Sequence, residues 1–151
     1  MKEFSHLDKE GNINMVDVSG KNKQLRKAIA SGFISMKEET IKKIKLNEIA
    51  KGNVMAVAKV AAIGAGKKTS EIIPLCHNIF ISSINVDFTI KKSRIDCLST
   101  ATATDCTGVE MEALTAVSIA LLTVYDMCKA VDKNMVISQI KLLEKSKQNL
   151  V

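Results

Sequence analysis

The stretch from Thr107 to Val131, TGVEMEALTAVSIALLTVYDMCKAV, limits what this chain can become more than any other part of it. Between Ala113 and Tyr125 there is no charged residue, and only Thr115, Ser118 and Thr123 offer polar groups along the run of Ala, Val, Ile and Leu. A helix of that composition has no generously solvated face and must be buried. Its start is signalled by Thr107 and Glu110, whose spacing predicts a reciprocal cap on the first free amides. The run falls short of the roughly 20 apolar residues that span a bilayer, so it reads as a core helix. Charge collects at its two ends, Glu110 and Glu112 at the start, Asp126 and Lys129 at the finish.

The rest of the composition fits one compact core. No linker divides the 151 residues, which predicts a single domain over 1–151, with roughly the first 12 and the last 6 residues flexible. Aromatics make up only 3% of the chain, so small aliphatics must fill the interior. A net charge of +6 favours anionic partners, among them nucleotides, polyphosphates, nucleic acids and membrane surfaces. The first residues, MKEFSHLDKEGN, lack the apolar core of a secretion signal, so a cytoplasmic protein is expected. Cys76, Cys97, Cys106 and Cys128 form no C-x-x-C pair and are expected as reduced thiols; no metal site is expected.

Taken in order, MVDV at 15–18 is a short apolar pair around Asp17, readable as an edge strand or a docking segment. Phe33 and Ile34 suggest a strand within 27–36, and Ile41 and Ile44 a helix over 37–45. Val54, Val57, Ala58, Ala61 and Ala62 recur at helical spacing until Gly64–Lys68. Pro74 opens PLCHN, expected as a loop running straight into a strand. Ile84, Val86, Phe88 and Ile90 alternate with polar residues, and residues 95–104 return in the same period after Lys91–Ser93, which predicts a hairpin. A last apolar segment, 135–143, runs into the charged tail EKSKQNLV. Mixed helices and antiparallel strands make this α+β, with helices on one face of a sheet.

Several residues here have the chemistry for a site. Asp126 and Lys129 stand three apart on one helical face, where each favours the other's charged form; spacing alone favours a surface pair that closes the helix over catalysis. Glu110 and Glu112 suit the positive end of the helix dipole. His77 is suited to proton transfer near neutral pH, yet a lone His beside Cys76 also fits a structural role. A Cys76–His77 nucleophile pair is disfavoured, because neighbours at the start of a strand point to opposite faces. Arg26, Lys51, Lys67, Lys68 and Lys129 are the cations suited to a polyanion, and no glycine-rich phosphate cradle is present. An RNA-binding sheet would need exposed strand aromatics, which Phe4, Phe33, Phe80, Phe88 and Tyr125 do not supply, so no nucleic-acid or membrane partner is expected. At about 1.5 Å per residue, Glu112 and Asp126 lie roughly 21 Å apart along one helix, too far to grip one reacting ring.

Four segments in combination, MVDVSGK, KGNVMAVAKVAAIGAGKKTSEIIPLCH, TGVEMEALTAVSIALLTVYDMCKAV and KNMVI, strongly resemble the cyclic pyranopterin monophosphate synthase family of molybdenum cofactor biosynthesis. The resemblance covers nearly the whole chain. It implies a ferredoxin-like α+β subunit, assembled as a hexamer of three dimers with active sites at subunit interfaces. The implied reaction is conversion of 3′,8-cyclo-7,8-dihydro-GTP, supplied by the radical GTP cyclase of the same pathway, into cyclic pyranopterin monophosphate and pyrophosphate. By motif, Asp126 takes the acid/base position and Lys129 that of the catalytic lysine. Leu75, Cys76, His77, Met111 and Glu112 match substrate-binding positions, and Lys51, Glu110, Lys68, Asp17 and Arg26 fall in matching segments. No cofactor is implied, and Mg²⁺ beside the triphosphate is left open. The chain departs from the family pattern at Asn78, where Pro is usual, at Asp105–Cys106, where Lys-Thr is usual, and in its shortened tail KQNLV.

Overall fold

The alternation of apolar and polar residues through the middle of the chain produces a four-stranded antiparallel sheet, described in a computed structural model over residues 10–150. In chain order the elements are β1 (Gln24–Ser35), α1 (Glu38–Lys45), α2 (Val54–Lys67), α3 (Thr69–Ile72), β2 (Ile81–Ile90), β3 (Arg94–Asp105), α4 (Glu110–Cys128) and β4 (Val136–Asn149). The spatial order is β2-β3-β1-β4. Grouping α1 to α3 as one crossover, the chain runs β-α-β-β-α-β, the element order that the ferredoxin-like expectation names. The arm expected at the N-terminus lies, up to residue 9, outside the described residues.

Period-two patterning decides which face is covered. Ala28, Ala30 and Ile34 of β1, Ile84 and Val86 of β2, and Ile95, Cys97, Ala101 and Ala103 of β3 are all buried. The expected hairpin forms with Ile90 opposite Ile95. Above this face lie α4, over β1 and β3, and α2, which packs along α4 and touches β2.

The helices come close because their facing residues are small. Ala58, Ala62, Ala113, Ala116 and Ala120 have no exposed surface. A Cβ placed on Gly66 of α2 would stand 2.5 Å from the Ile84 Cδ1 and 3.3 Å from the Glu112 carbonyl oxygen. Gly32 does the same under α4, where a Cβ would meet Val117, Leu121 and Ile140 at 3.0 Å. The β1–β4 register shifts at that point, between Ser31 and Phe33. Gln139 there takes a positive φ of 53°.

Four features differ from the sequence expectation, and a fifth decides between two readings. The core helix spans Glu110–Cys128, and its N-cap is Val109 with no side-chain cap bond, so the Thr107–Glu110 cap does not form. Glu110 instead meets Lys145 at 3.1 Å. Its carboxylate folds into the space beside Gly108 that any side chain there would need. Next, α4 is long and apolar enough to cross a membrane by length and composition, contrary to the shortfall expected; more than half of it is buried within the fold, as befits a core helix. Cys76 and His77 sit in a loop that reaches β2 only at Ile81, so strand alternation does not set their directions. Of the two readings of MVDV the docking segment holds and the edge strand does not: it is neither strand nor helix, and its Val16 carbonyl docks on His77. Finally, β4 continues past the apolar segment through EKSKQN, because β1 offers it a partner as far as Gln24 opposite Asn149.

Gly66→Leu tests the helix contact. Overpacking there is expected to cost about 1–3 kcal/mol, read from the urea midpoint at unchanged slope.

Candidate active site

The charged tips of α4 form two separate clusters. At the C-terminal end, the Asp126 Oδ1 lies 2.6 Å from the Lys129 Nζ, one helical turn on. Its Oδ2 lies 2.6 Å from the Lys51 Nζ, which also donates to the Asp126 carbonyl at 3.0 Å. Lys51 arrives from the loop between α1 and α2, shaped by positive φ values at Asn47 and Gly52 and closed by Asn53, which caps α2 through the Ala56 N–H at 2.9 Å. Hydrogen bonds from Lys129 and then Lys51 pull the Asp126 carboxyl down to about 2, while Asp126 holds the Lys129 ammonium above the ordinary lysine range. All three side chains are about half exposed. The cluster is therefore charged, hydrated and open to a ligand.

At the other end, Leu75, Cys76, His77, Glu110, Met111 and Glu112 line one cavity of about 430 Å³ with Val16, Lys21 and Gly108. Glu112 is only 3% exposed, and its Oε2 has no hydrogen-bond partner among the described residues. Burial raises its carboxyl above the usual glutamate range, with Glu110 and Asp105 adding repulsion. Burial likewise raises the Cys76 thiol, with a contribution from Glu112, so thiolate chemistry is disfavoured there. His77 Nε2 lies 2.7 Å from the Val16 carbonyl. A carbonyl only accepts, so Nε2 carries the proton and Nδ1 is the nitrogen left to a ligand.

Arg26 lines an adjoining recess with Lys21, Asn22, Gln24, Cys106 and Lys147, which shares Lys21, Thr107 and Gly108 with the cavity. Its guanidinium is aimed by the carbonyls of Asp105 at 3.2 Å and Cys106 at 2.9 Å, leaving further N–H donors for an anion. Asp17 lies on the segment between Val16 and Val18, both of which line the cavity, and accepts the Ser19 N–H at 2.8 Å. Lys68 is exposed at the junction of α2 and α3 and lines neither cavity nor recess. Thus six expected residues meet in the cavity, Arg26 and Asp17 adjoin it, and Asp126, Lys129 and Lys51 meet at the far end of α4.

Sequence reasoning missed Lys21 and Lys147. In the β1–β4 register Arg26 stands directly opposite Lys147, and like charges so placed repel unless an anion lies between them. Lys21 was already visible as the end of MVDVSGK, whereas Lys147 was hidden in an apparent tail that only strand pairing makes structural.

The buried carboxyl gives a test. Its raised value means that the folded protein keeps this proton to higher pH than the unfolded chain does. Stability is therefore lost as pH rises from the unfolded glutamate value of roughly 4.3 through the folded one. Glu112→Gln removes that penalty: its Tm is expected above that of the unaltered protein at pH 8, with the gain shrinking toward pH 4. Calorimetry at both pH values checks this, and a gain that does not depend on pH would contradict it.

The chain is similar to known proteins over nearly its whole length. A cyclic pyranopterin monophosphate synthase of Clostridium acetobutylicum is 53% identical over 145 residues, covering 95% of this chain and 90% of its own. One from Peptoclostridium acidaminophilum is 51% identical over 144 residues, covering 95% and 92%. A molybdenum cofactor biosynthesis bifunctional protein of Chlorobaculum tepidum is 54% identical over 144 residues, 95% of this chain but 46% of that one. The profile of the MoaC family matches residues 15–148, within which every residue of both clusters lies, and the chain belongs to that family.

Proposed function

We propose that this protein is a lyase of molybdenum cofactor biosynthesis that converts 3′,8-cyclo-7,8-dihydro-GTP into cyclic pyranopterin monophosphate and pyrophosphate. The observation that carries the reading is the pairing of two unlike half-sites on one helix, a buried carboxyl beside an imidazole at one end and a carboxylate between two lysines at the other. The reaction opens one ring, moves protons on nitrogen and carbon, and closes a cyclic phosphate with loss of pyrophosphate. Such steps call for acids, bases and phosphate cations, with no change of redox state and no redox cofactor.

The residues divide the work by their environment. Asp126, held ionised by its lysines, acts as base and electrostatic partner, and the Lys129 ammonium is the proton donor. An incoming triphosphate competes for Lys51 and Lys129. As they turn to it, Asp126 loses the contacts that keep its carboxyl near 2 and becomes a stronger base when substrate is bound. Arg26, with Lys21 and Lys147 beside it, supplies phosphate contacts at one half-site and Lys51 at the other, with Lys68, at the opposite end of α2 from Lys51, as a further cation for the triphosphate. His77 and the buried Glu112 orient the purine-derived ring. Mg²⁺ accompanying the triphosphate is compatible with this assignment.

The half-sites lie roughly 21 Å apart along α4, so one chain cannot close them around one ring. We place the complete site between two subunits of a homo-oligomer, a trimer of dimers in the reading the family resemblance suggests. Its support is the uncovered apolar surface on the helical layer, where Val60 is 72% exposed and Val57, Ile72 and Leu122 are about half exposed. The substrate is a small cytoplasmic anion.

Two experiments test this. With the cyclised GTP intermediate, the purified protein is expected to yield a pterin and pyrophosphate, and Asp126→Ala or Lys129→Ala in intact oligomers should abolish turnover. Near-normal rates for either variant would remove the assignment. Mixing inactive Glu112→Ala and Asp126→Ala chains should restore part of the activity, since some interfaces then carry an undamaged pair of half-sites. Verified mixed oligomers that stay inactive would count against a shared site.

A further inference from the structure

Asp132 is outside both clusters, yet it is among the most completely buried charged groups, 1% exposed, in the turn that follows α4. Its Oδ2 accepts the Lys37 N–H at 2.8 Å and the Thr40 hydroxyl at 3.1 Å. Its Oδ1 accepts the Asn134 N–H at 3.1 Å, and its own N–H donates to the Cys128 carbonyl at 3.0 Å. Lys37 is the N-cap of α1 and has no cap from its own side chain. The carboxylate that serves the start of α1 therefore comes from 95 residues away, off the end of another helix. Its charge also suits the positive end of α1.

This bond joins the start of α1 to the end of α4 across a long sequence separation. Ile41 and Ile44 on the inner side of α1 are buried in the core, and Asp132 adds directed bonds at its start. Immediately beyond α1 comes the loop that presents Lys51, and three residues before Asp132 comes Lys129. Asp132 is thus bonded both to the element that leads into Lys51 and to the last turn of the helix that bears Asp126 and Lys129.

We infer that Asp132 is a positioning residue, which clamps the start of α1 to the end of α4 and so sets Lys51 against Asp126. This rests on the reading that Asp126, Lys129 and Lys51 form the reacting cluster. The groups facing Asp126 are Lys51 from the α1–α2 loop and Lys129 from α4. Asp132→Asn removes the charge at the start of α1 and sets an NH₂ against either the Lys37 and Thr40 donors or the Asn134 N–H, so the bonds to α1 are lost in one orientation and weakened in the other. A small displacement of a positioned group is enough to cost up to about 10²-fold in rate.

The test is titration of the Asp126 carboxyl by ¹³C NMR in the intact, substrate-free protein, with kcat measured alongside. In Asp132→Asn the Asp126 pKa is expected to rise toward the value in Lys51→Ala, and kcat to fall by about 10²-fold. Val86→Ala, a cavity in β2 remote from both clusters, supplies a destabilised control in which Asp126 should titrate as in the unaltered protein. If Asp132→Asn does not fold, Thr40→Val removes one donor and keeps the carboxylate; Asp126 should then rise by a smaller amount, and Thr40→Ser should restore it. An Asp126 titration unmoved in Asp132→Asn, or in Thr40→Val where the former does not fold, would overturn the clamp. Because the titration needs no substrate, that failure is separate from absence of pterin formation by the unaltered protein, which would overturn the catalytic reading instead.

Discussion

The structure depends on the close approach of α2 to α4. Alanine at 58, 62, 113, 116 and 120 and glycine at 66 remove the side-chain bulk that would hold the two helices apart. The gain is dispersion contact along two backbones and burial of a helix that has no polar face to offer water. Gly32 extends the same device to the sheet, letting α4 settle on β1. With so few aromatics, tight backbone approach replaces large rings as the means of filling the core.

That burial also separates the chemistry. Because the middle of α4 is committed to packing, only its ends can carry ionisable groups, and the two ends experience opposite environments. Glu112 is buried where its backbone packs against Gly66 of α2, and that burial raises its carboxyl. Asp126 projects among lysines in water, and its carboxyl falls to about 2. Two carboxylates on one helix are thereby pushed apart in acidity without any difference in intrinsic chemistry, the pattern by which one protein assigns distinct proton-transfer roles.

Much of the site was legible in the sequence because it is held in short segments. PLCH and VEME carry six of the cavity residues, and YDMCKA carries Asp126 with Lys129 one turn apart, so the motifs of the family resemblance picked them out where spacing alone read as well or better as surface pairing. What lay hidden were meetings across long sequence separations. Lys51 on Asp126, Lys147 opposite Arg26, Val16 on His77 and Asp132 on Lys37 each join segments that no local pattern connects. The expected Thr107–Glu110 cap failed for the same reason, since Lys145 of β4 offers Glu110 a charged partner.

The sequence by itself determined the core helix, the strand period, the hairpin and the class of fold, because each follows from which residues must leave water at 3.6 or two positions per repeat. It also determined that charge would collect at the ends of α4. Only the tertiary structure decided that the last charged segment is a strand, since a polar sequence pairs when a neighbouring edge satisfies its amides. Only the tertiary structure, likewise, decided the state of each carboxyl, because desolvation and the nearest cation are set by segments tens of residues away.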